Sequence, residues 1–423
     1  MKRTISVLCL VSLLVSSAAF FANAQTRVLP TDVGAARKGC VLVGIKGSYI
    51  TNAKAAVDRI NALRKEACSQ GIKDPRDKSR KLTINDYKPI RWSSDLEYIA
   101  RIRAAEASII TEHTRPNGDD CFSVVSPNGV VSSGEVLAWN FSDNLIDGIE
   151  QWYEEKYDWV NNTGGVTGHY TQMIDPDNQY VGLGDFNTEH GAYRNCTSGE
   201  FSVDPDPGFD TAYAKPESNC IQTVEIQKSL LGSLTLNKLK GKSKLYAGSS
   251  VTYEAMYEIK NYFNNASVCP IESVTWSSSN KSTAVVENGT IKCLKAGQAL
   301  ITATLASGDR ASVRINVLKN NQSLKIKSKP KKIKAASLKN KSRKIKRAVT
   351  VKNNCGKVTY KLVKKGTSKL IRSKVSVSKN GVITLKKSNY KKGTYTIKMK
   401  ITAAGNTSYA KTSKNVKIKI KIV

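Results

Sequence analysis

Between residues 318 and 423 the chain carries 30 Lys and 3 Arg and not one Asp or Glu. Such a stretch cannot neutralise a buried cation. It can fold only where lysine alternates with apolar residues, so that one face of each strand is buried and the other is left to water. Lys417-Ile418-Lys419-Ile420-Lys421-Ile422 follows that alternation. These 33 charges equal the formal net charge of the whole chain, +33; of 67 basic residues 34 remain in the first 317 positions, against 34 acids. The chain is thus divided into a charge-balanced part and a polycationic part.

Residues 1–24 read as a secretory leader: Lys2 and Arg3 precede an apolar run from Ile5 to Phe21, and Ala22-Asn23-Ala24 offers a small-residue cleavage site. No later run approaches the roughly 18 apolar residues needed to cross a bilayer, so a secreted, extracellular or cell-surface protein without a transmembrane anchor is expected. The remaining 399 residues, 423 less 24, suit about two to four domains. Eight cysteines survive cleavage, and in an exported chain an even number favours disulfides; their pairing is open, and no Cys-x-x-Cys zinc spacing occurs.

Apolar residues recur at helical spacing over 55–68 (Ala56, Ile60, Leu63, Ala67) and 95–110 (Leu96, Ile99, Ala100, Ala104, Ala107). A third helix is expected over 144–159, capped by Asp143. Strand-like text follows at 179–186 and 192–196. Asp204-Pro205-Asp206-Pro207-Gly208 breaks this mixed region, and 204–227 reads as a linker. From 228 to 317 the text is strand-rich, with Asn288-Gly289 placed as a hairpin turn between alternating runs. Residues 318–348 are expected to be a basic linker, and 349–423 a second, Lys-rich β-sandwich that repeats the hairpin text as Asn380-Gly381.

Three strings and one isolated residue concentrate the chemistry: Gly134-Glu135, Trp152-Tyr153-Glu154-Glu155, Gly168-His169-Tyr170-Thr171-Gln172, and His113. The chain has only three histidines. Imidazole and carboxylate together can hold a divalent metal or move protons near neutral pH. Residues 52–200 resemble the CAP superfamily (cysteine-rich secretory, antigen 5 and pathogenesis-related proteins) in its bacterial branch. The resemblance rests on Ile60-Asn61-Ala62-Leu63-Arg64, His113-Thr114-Arg115-Pro116-Asn117-Gly118 and the three strings above, in the family's order and spacing. It implies a multidomain protein: an α+β domain over 50–203, an α-β-α sandwich, followed by all-β Ig-like sandwiches. Residues 228–317 resemble bacterial Ig-like domains of surface proteins and adhesins, on the string Val274-Thr275-Trp276-Ser277-Ser278-Ser279-Asn280.

Carried over residue by residue, the CAP resemblance implies a cleft that gathers His113, Glu135, Glu155 and His169. In the family such a tetrad binds a divalent metal in some members, and the domain has been associated with lipid or sterol binding and with disputed protease activity. The same four residues are therefore the metal candidates, with zinc or another divalent ion as cofactor, and the candidates for catalysis. Glu155 is preferred to Glu154 by its spacing from Trp152. Asp175 departs from the family, which usually has Trp there.

Plainer readings stand beside these. The two histidines suit a packed cleft without turnover, His190 an exposed loop, and Trp152 and Trp159 core packing rather than the wall of a lipid pocket. A hydrolase with His169 as general base is one alternative, although no serine or threonine is nominated as nucleophile. A non-catalytic adhesin is another. The uncompensated lysines point to an anionic cell-wall polymer or acidic glycan as partner. Nucleic acid is not expected, because the chain is exported and its basic region has no interleaved aromatics.

Overall fold

In a computed structural model of the chain, residues 26–50, 52–204, 212–260 and 266–423 are described. The expected leader and all but Asp204 of the 204–208 breaker lie outside them. The chain divides into two compact units, one comprising Met1–Leu231 with Ile259–Ile271, the other Gly232–Glu258 with Glu272–Val423. No described helix is long and apolar enough to cross a membrane.

The first unit is a sheet between two helix layers. Its strands are β1 (Arg27–Leu29), β2 (Cys40–Tyr49), β3 (Arg91–Trp92), β4 (Gly134–Asn140), β5 (Tyr180–Asn187), β6 (Asn195–Ser202) and β7 (Glu217–Gln227). β2, β5, β6 and β4 lie side by side, with β4 at the edge, while β7 pairs antiparallel with β2 along Cys40–Gly47. The 204–227 linker is thereby corrected: Glu217–Gln227 is a strand inside the sheet, in which Cys220, Val224 and Ile226 are buried. Ser267–Pro270, expected in the Ig-like domain, also joins this sheet through β2.

One face of the sheet carries α1 (Ala53–Ser69), α3 (Leu145–Glu154), α4 (Lys156–Asn161) and α5 (Gly168–Ile174), packed on Val136, Ala138, Val181, Leu183 and Phe201. The other face carries α2 (Ser94–Ile109), whose start is capped by Ser93 accepting from the Leu96 N–H. Period-two alternation sorts the strand residues between the layers. Gly182 and Gly184 fall under α2, where an added Cβ would sit 2.0 Å from the Glu97 nitrogen and 2.4 Å from the Ala100 carbonyl oxygen. Only glycine lets the helix backbone lie this close to the strand.

The expected helix over 144–159 is two helices broken at Glu155, and its cap is Asn144, which accepts from the Ile146 N–H, rather than Asp143. The expected disulfides are not formed: the eight described cysteines are free thiols. Cys68, Cys196 and Cys293 each pack in a separate apolar cluster, where burial rather than pairing occupies the side chain.

In the second unit, Val274–Ser278, Gly297–Leu305, Arg310–Leu318 and Leu245–Tyr246 form one sheet of the Ig-like domain. Ala284–Glu287, Thr290–Cys293 and Ser250–Ile259 form the facing strands, and Val251, Ile291, Ile301 and Ile315 fill the space between. Asn288 and Gly289 have φ of 45° and 72° between the paired Glu287 and Thr290, the two left-handed residues of a tight hairpin.

The Lys-rich module has a four-stranded sheet, Lys331–Ile333, Thr412–Ile422, Gly393–Ala403 and Val358–Leu362 in that order. It faces a three-stranded sheet of Arg343–Ile345, Ile383–Leu385 and Val375–Val377. Lysines 417, 419 and 421 are exposed while Ile418, Ile420 and Ile422 are buried. The 318–348 linker is corrected too, since this segment supplies an edge strand to each sheet. Its few apolar residues suffice because Leu338 and Ile345 enter the core directly.

Candidate functional site: a histidine–carboxylate cleft

Asn61 and Arg64 hold the framework on which the cleft is built. The Asn61 amide bridges the backbone of Ile90, accepting from its N–H at 2.7 Å and donating to its carbonyl at 3.1 Å. Arg64, 2% exposed, donates to the carbonyls of Lys88, Met173, Asp175 and Asn178, tying α1 to the end of α5. Burial pulls its guanidinium down to about 10. Asp175 thus serves through its backbone carbonyl.

The string Gly134-Glu135 is explained by the string that ends in Gln172. A Cβ on Gly134 would lie 1.8 Å from Gln172 Nε2, so the bare glycine makes room for the Gln172 amide at the sheet edge. Beside it Glu135, whose side chain is 1% exposed, accepts from His113 Nδ1 at 2.7 Å and from Arg103 Nε at 2.5 Å. Burial alone would push its carboxyl up, but His113 and Arg103 together hold it below the usual carboxylate range.

Arg103 is the residue that sequence reasoning missed. Fully buried in α2, it also donates to Glu106 and to the His113 carbonyl. Glu106 accepts in turn from Arg115, which reaches Asp32 at 2.8 Å. Charge alternates along this row from Asp32 to the cleft, so each buried ion has an opposite neighbour. Across the strand ladder from Glu135, Glu200 is pushed well above the usual range, by burial first and by Glu135 next. The two carboxyls are thus driven in opposite directions, Glu200 up by burial and Glu135 down by its two cations.

The second histidine is held from the other helix layer. Glu155, at the break between α3 and α4, lies 2.5 Å through Oε1 from His169 Nδ1 and accepts the His169 and Tyr170 backbone N–H groups through Oε2. The break leaves Glu155 at the start of α4, facing the start of α5, while Glu154 is exposed. The His113 and His169 rings lie near-parallel, 21° apart, with centroids separated by 6.1 Å.

Folding therefore brings all four sequence-selected residues to one cleft, in two imidazole–carboxylate pairs. An imidazole that donates through Nδ1 to a carboxylate keeps Nε2 for a ligand, the arrangement that orients metal-binding histidines. The four donors do not close into a single coordination sphere. The tight ligand cluster among the described residues is instead His113, Cys121 and Glu135, within 4.8 Å of one another. Burial, then Glu135, pushes the Cys121 thiol up to about 12, so it is protonated and is no activated nucleophile. Cys121, eight residues beyond His113 along the chain, carried no sequence signal of proximity to it.

His190 is not the exposed loop residue expected: it is half-buried, with Nδ1 3.2 Å from Ser267 Oγ. Trp152 and Trp159 lie in the core, donating to the carbonyls of Leu137 and Lys73.

The α-β-α layering and the paired cleft define the first unit as a CAP-type domain. Comparison with known families agrees: the Cysteine-rich secretory protein family, CAP, matches residues 57–201, and the Bacterial Ig-like domain (group 2) matches 254–315. The chain thus carries a CAP-family domain followed by a bacterial Ig-like domain, a combination that fits an extracellular protein. No curated protein matches it. Among solved structures, the S-layer protein rSbsC is 19% identical over 71% of this chain and 37% of its own, with a TM-score of 0.22. Protocadherin gamma B7 cadherin domains 1-4 are 16% identical over 58% and 65%, at 0.21. Venom allergen-like protein 4 of Schistosoma mansoni is 14% identical over 39% of this chain and 97% of its own, at 0.24. The chain spans less than two thirds of the length of the first two.

Proposed function

We propose that this is a secreted, surface-associated protein whose CAP cleft binds a divalent metal ion, zinc first, while the Lys-rich module holds it to an anionic wall polymer or acidic glycan. The observation that carries the metal reading is the pair of Nδ1–carboxylate contacts, His113 with Glu135 and His169 with Glu155. The donor chemistry fits: two imidazoles, each held through Nδ1, can offer Nε2, and the carboxylates fix their orientation from behind. His113 and His169 would hold the ion, and Glu135 and Glu155 would orient them. Bound there, the ion would supply a Lewis acid. The polymer reading is supported by 33 cations without one acid in residues 318–423.

Zinc titration of the full chain by calorimetry tests the metal reading. The parent should bind zinc, His169→Gln should lose affinity by about 100-fold, and Glu155→Gln by about 10-fold, through a loosened ring. Unchanged affinity in His169→Gln defeats the proposal. Nothing specific favours the hydrolase reading, since among the described residues no hydroxyl is hydrogen-bonded to either imidazole. A lipid pocket gains no support from Trp152 or Trp159, which are core residues.

A further inference from the structure

The cations of the C-terminal module are not spread evenly. Strand Lys331–Ile333 is the edge of the four-stranded sheet and strand Arg343–Ile345 the edge of the three-stranded sheet. The two edges border a cleft of about 430 Å³. Lys331, Lys332, Lys334, Arg343, Lys344 and Lys346 line it, together with Ile333, Ser337 and Ile345. Ile345 is buried beneath it, in the module's core, and Ile333 packs against that core, which is why the flanking lysines turn outward. No Asp or Glu side chain occurs in residues 318–423 to neutralise them.

A concave wall of one charge sign focuses the field more strongly than an open face of equal charge. An open face is present in the same module for comparison: Lys361 stands opposite Lys400 across the antiparallel strands, both exposed. Like charges directly opposed on a sheet repel but enclose no ligand.

We infer that the cleft between the two edge strands is a binding site for a linear polymer bearing tetrahedral oxyanions, phosphate or sulfate. Linearity follows from the wall: Lys332 and Lys334 on one side, and Lys344 and Lys346 on the other, each repeat at about 6.6 Å along an extended chain. A polymer with successive anionic groups engages these repeats together, whereas a single small anion meets only one end. Tetrahedral oxyanions follow from the donors. An ammonium presents three N–H groups in any direction, and an oxyanion with several terminal oxygens can accept from both walls at once. A lone carboxylate has one plane of acceptors. The inference rests on the reading of this module as a polyanion anchor and names the part of it that binds.

The test uses the full chain with fluorescent inorganic polyphosphate, heparin and polyglutamate, followed by anisotropy near physiological salt. K332E/K344E alters the cleft, and K361E/K400E makes the same charge change on the open face. The cleft variant should weaken binding of polyphosphate or heparin by about tenfold or more and flatten its salt dependence, while the open-face variant should cost less than about threefold. Whichever polymer binds more tightly distinguishes phosphate from sulfate, and polyglutamate should bind the parent more weakly than both. K332Q/K344Q, checked for an unchanged melting temperature, decides the matter where the glutamate pair does not fold. Equal losses from both pairs, or polyglutamate binding as tightly, overturn the cleft while leaving the module a general polyanion anchor. Failure of the unaltered chain to bind any of the three polymers overturns the anchor reading itself.

Discussion

Asp185 on β5 is fully buried and accepts from Thr197 Oγ1 on β6 at 2.7 Å. No cation offsets its charge, and burial, its main influence, pushes the carboxyl from 3.8 up to about 6. Between these values the folded protein holds a proton that the unfolded chain has released. Stability therefore falls as pH rises through this window, and the ionised carboxylate is a burden at pH 7. A shift of about two units corresponds to about 3 kcal/mol at most. Asp185→Asn keeps the acceptor for Thr197 and removes the ionisation. The variant should be more stable than the parent by about 1–3 kcal/mol at pH 7, with the gain shrinking to nothing near pH 4. Urea unfolding followed by tryptophan emission measures this in the right unit, because Trp92, Trp139, Trp152 and Trp159 lie there and only Trp276 lies elsewhere. A variant no more stable at pH 7, with the parent's slope between pH 4 and 6 retained, would refute the account of Asp185 as an uncompensated buried acid.

Two further substitutions probe the framework. Gly182→Ala places a Cβ 2.0 Å from the Glu97 nitrogen and 2.1 Å from the Leu96 carbonyl carbon, backbone atoms that no rotamer change can move. It should cost more than about 4 kcal/mol or prevent folding of the first unit, read as lost near-ultraviolet circular dichroism. Arg103→Met leaves Glu135 and Glu106 facing each other without their shared cation and should cost about 3–5 kcal/mol at pH 7. Adding Glu135→Gln to it should recover part of that loss in thermal melts, because Glu106 still has Arg115 while Glu135, the carboxylate that relied most on Arg103, is then uncharged.

Sequence pattern exposes what repeats or what has few alternatives. Helices α1 and α2 lie within two residues of the expected spans because their apolar stripes, Ala56 to Ala67 and Leu96 to Ala107, both face the sheet. Asn288-Gly289 announces its turn because two adjacent left-handed residues need that chemistry. By contrast, β7 was hidden: Ser218 and Asn219 at its exposed end resemble loop text, and only pairing with β2 reveals the buried Val224 and Ile226. The 318–348 segment was hidden for a similar reason, since its single apolar residues acquire meaning only when opposite sheets meet over them. In the cleft, the four histidine and glutamate positions were legible by resemblance, but Arg103 was not. A charged residue inside an alanine-rich helical stripe reads as surface until Glu135 and Glu106 are seen to surround it.

The two halves of the cleft have independent anchors. His113 belongs to the α2 side, where Glu135 and the ion row back to Asp32 hold it. His169 belongs to the other helix layer, where Glu155 grips both its ring and its backbone. The layers approach each other at the sheet edge where the Gln172 amide lies over Gly134. Each imidazole is thus pre-oriented within its own layer, and the separation between the rings depends on how the α5 layer sits on β4. A ligand held by both rings would add a link between the layers at their edge, so its binding free energy would oppose their separation as well as stabilise the cleft. That coupling explains why fixing each histidine from behind with a carboxylate is not redundant: a ring free to turn would satisfy a ligand locally, whereas a fixed ring transmits the ligand's pull to the framework that carries it.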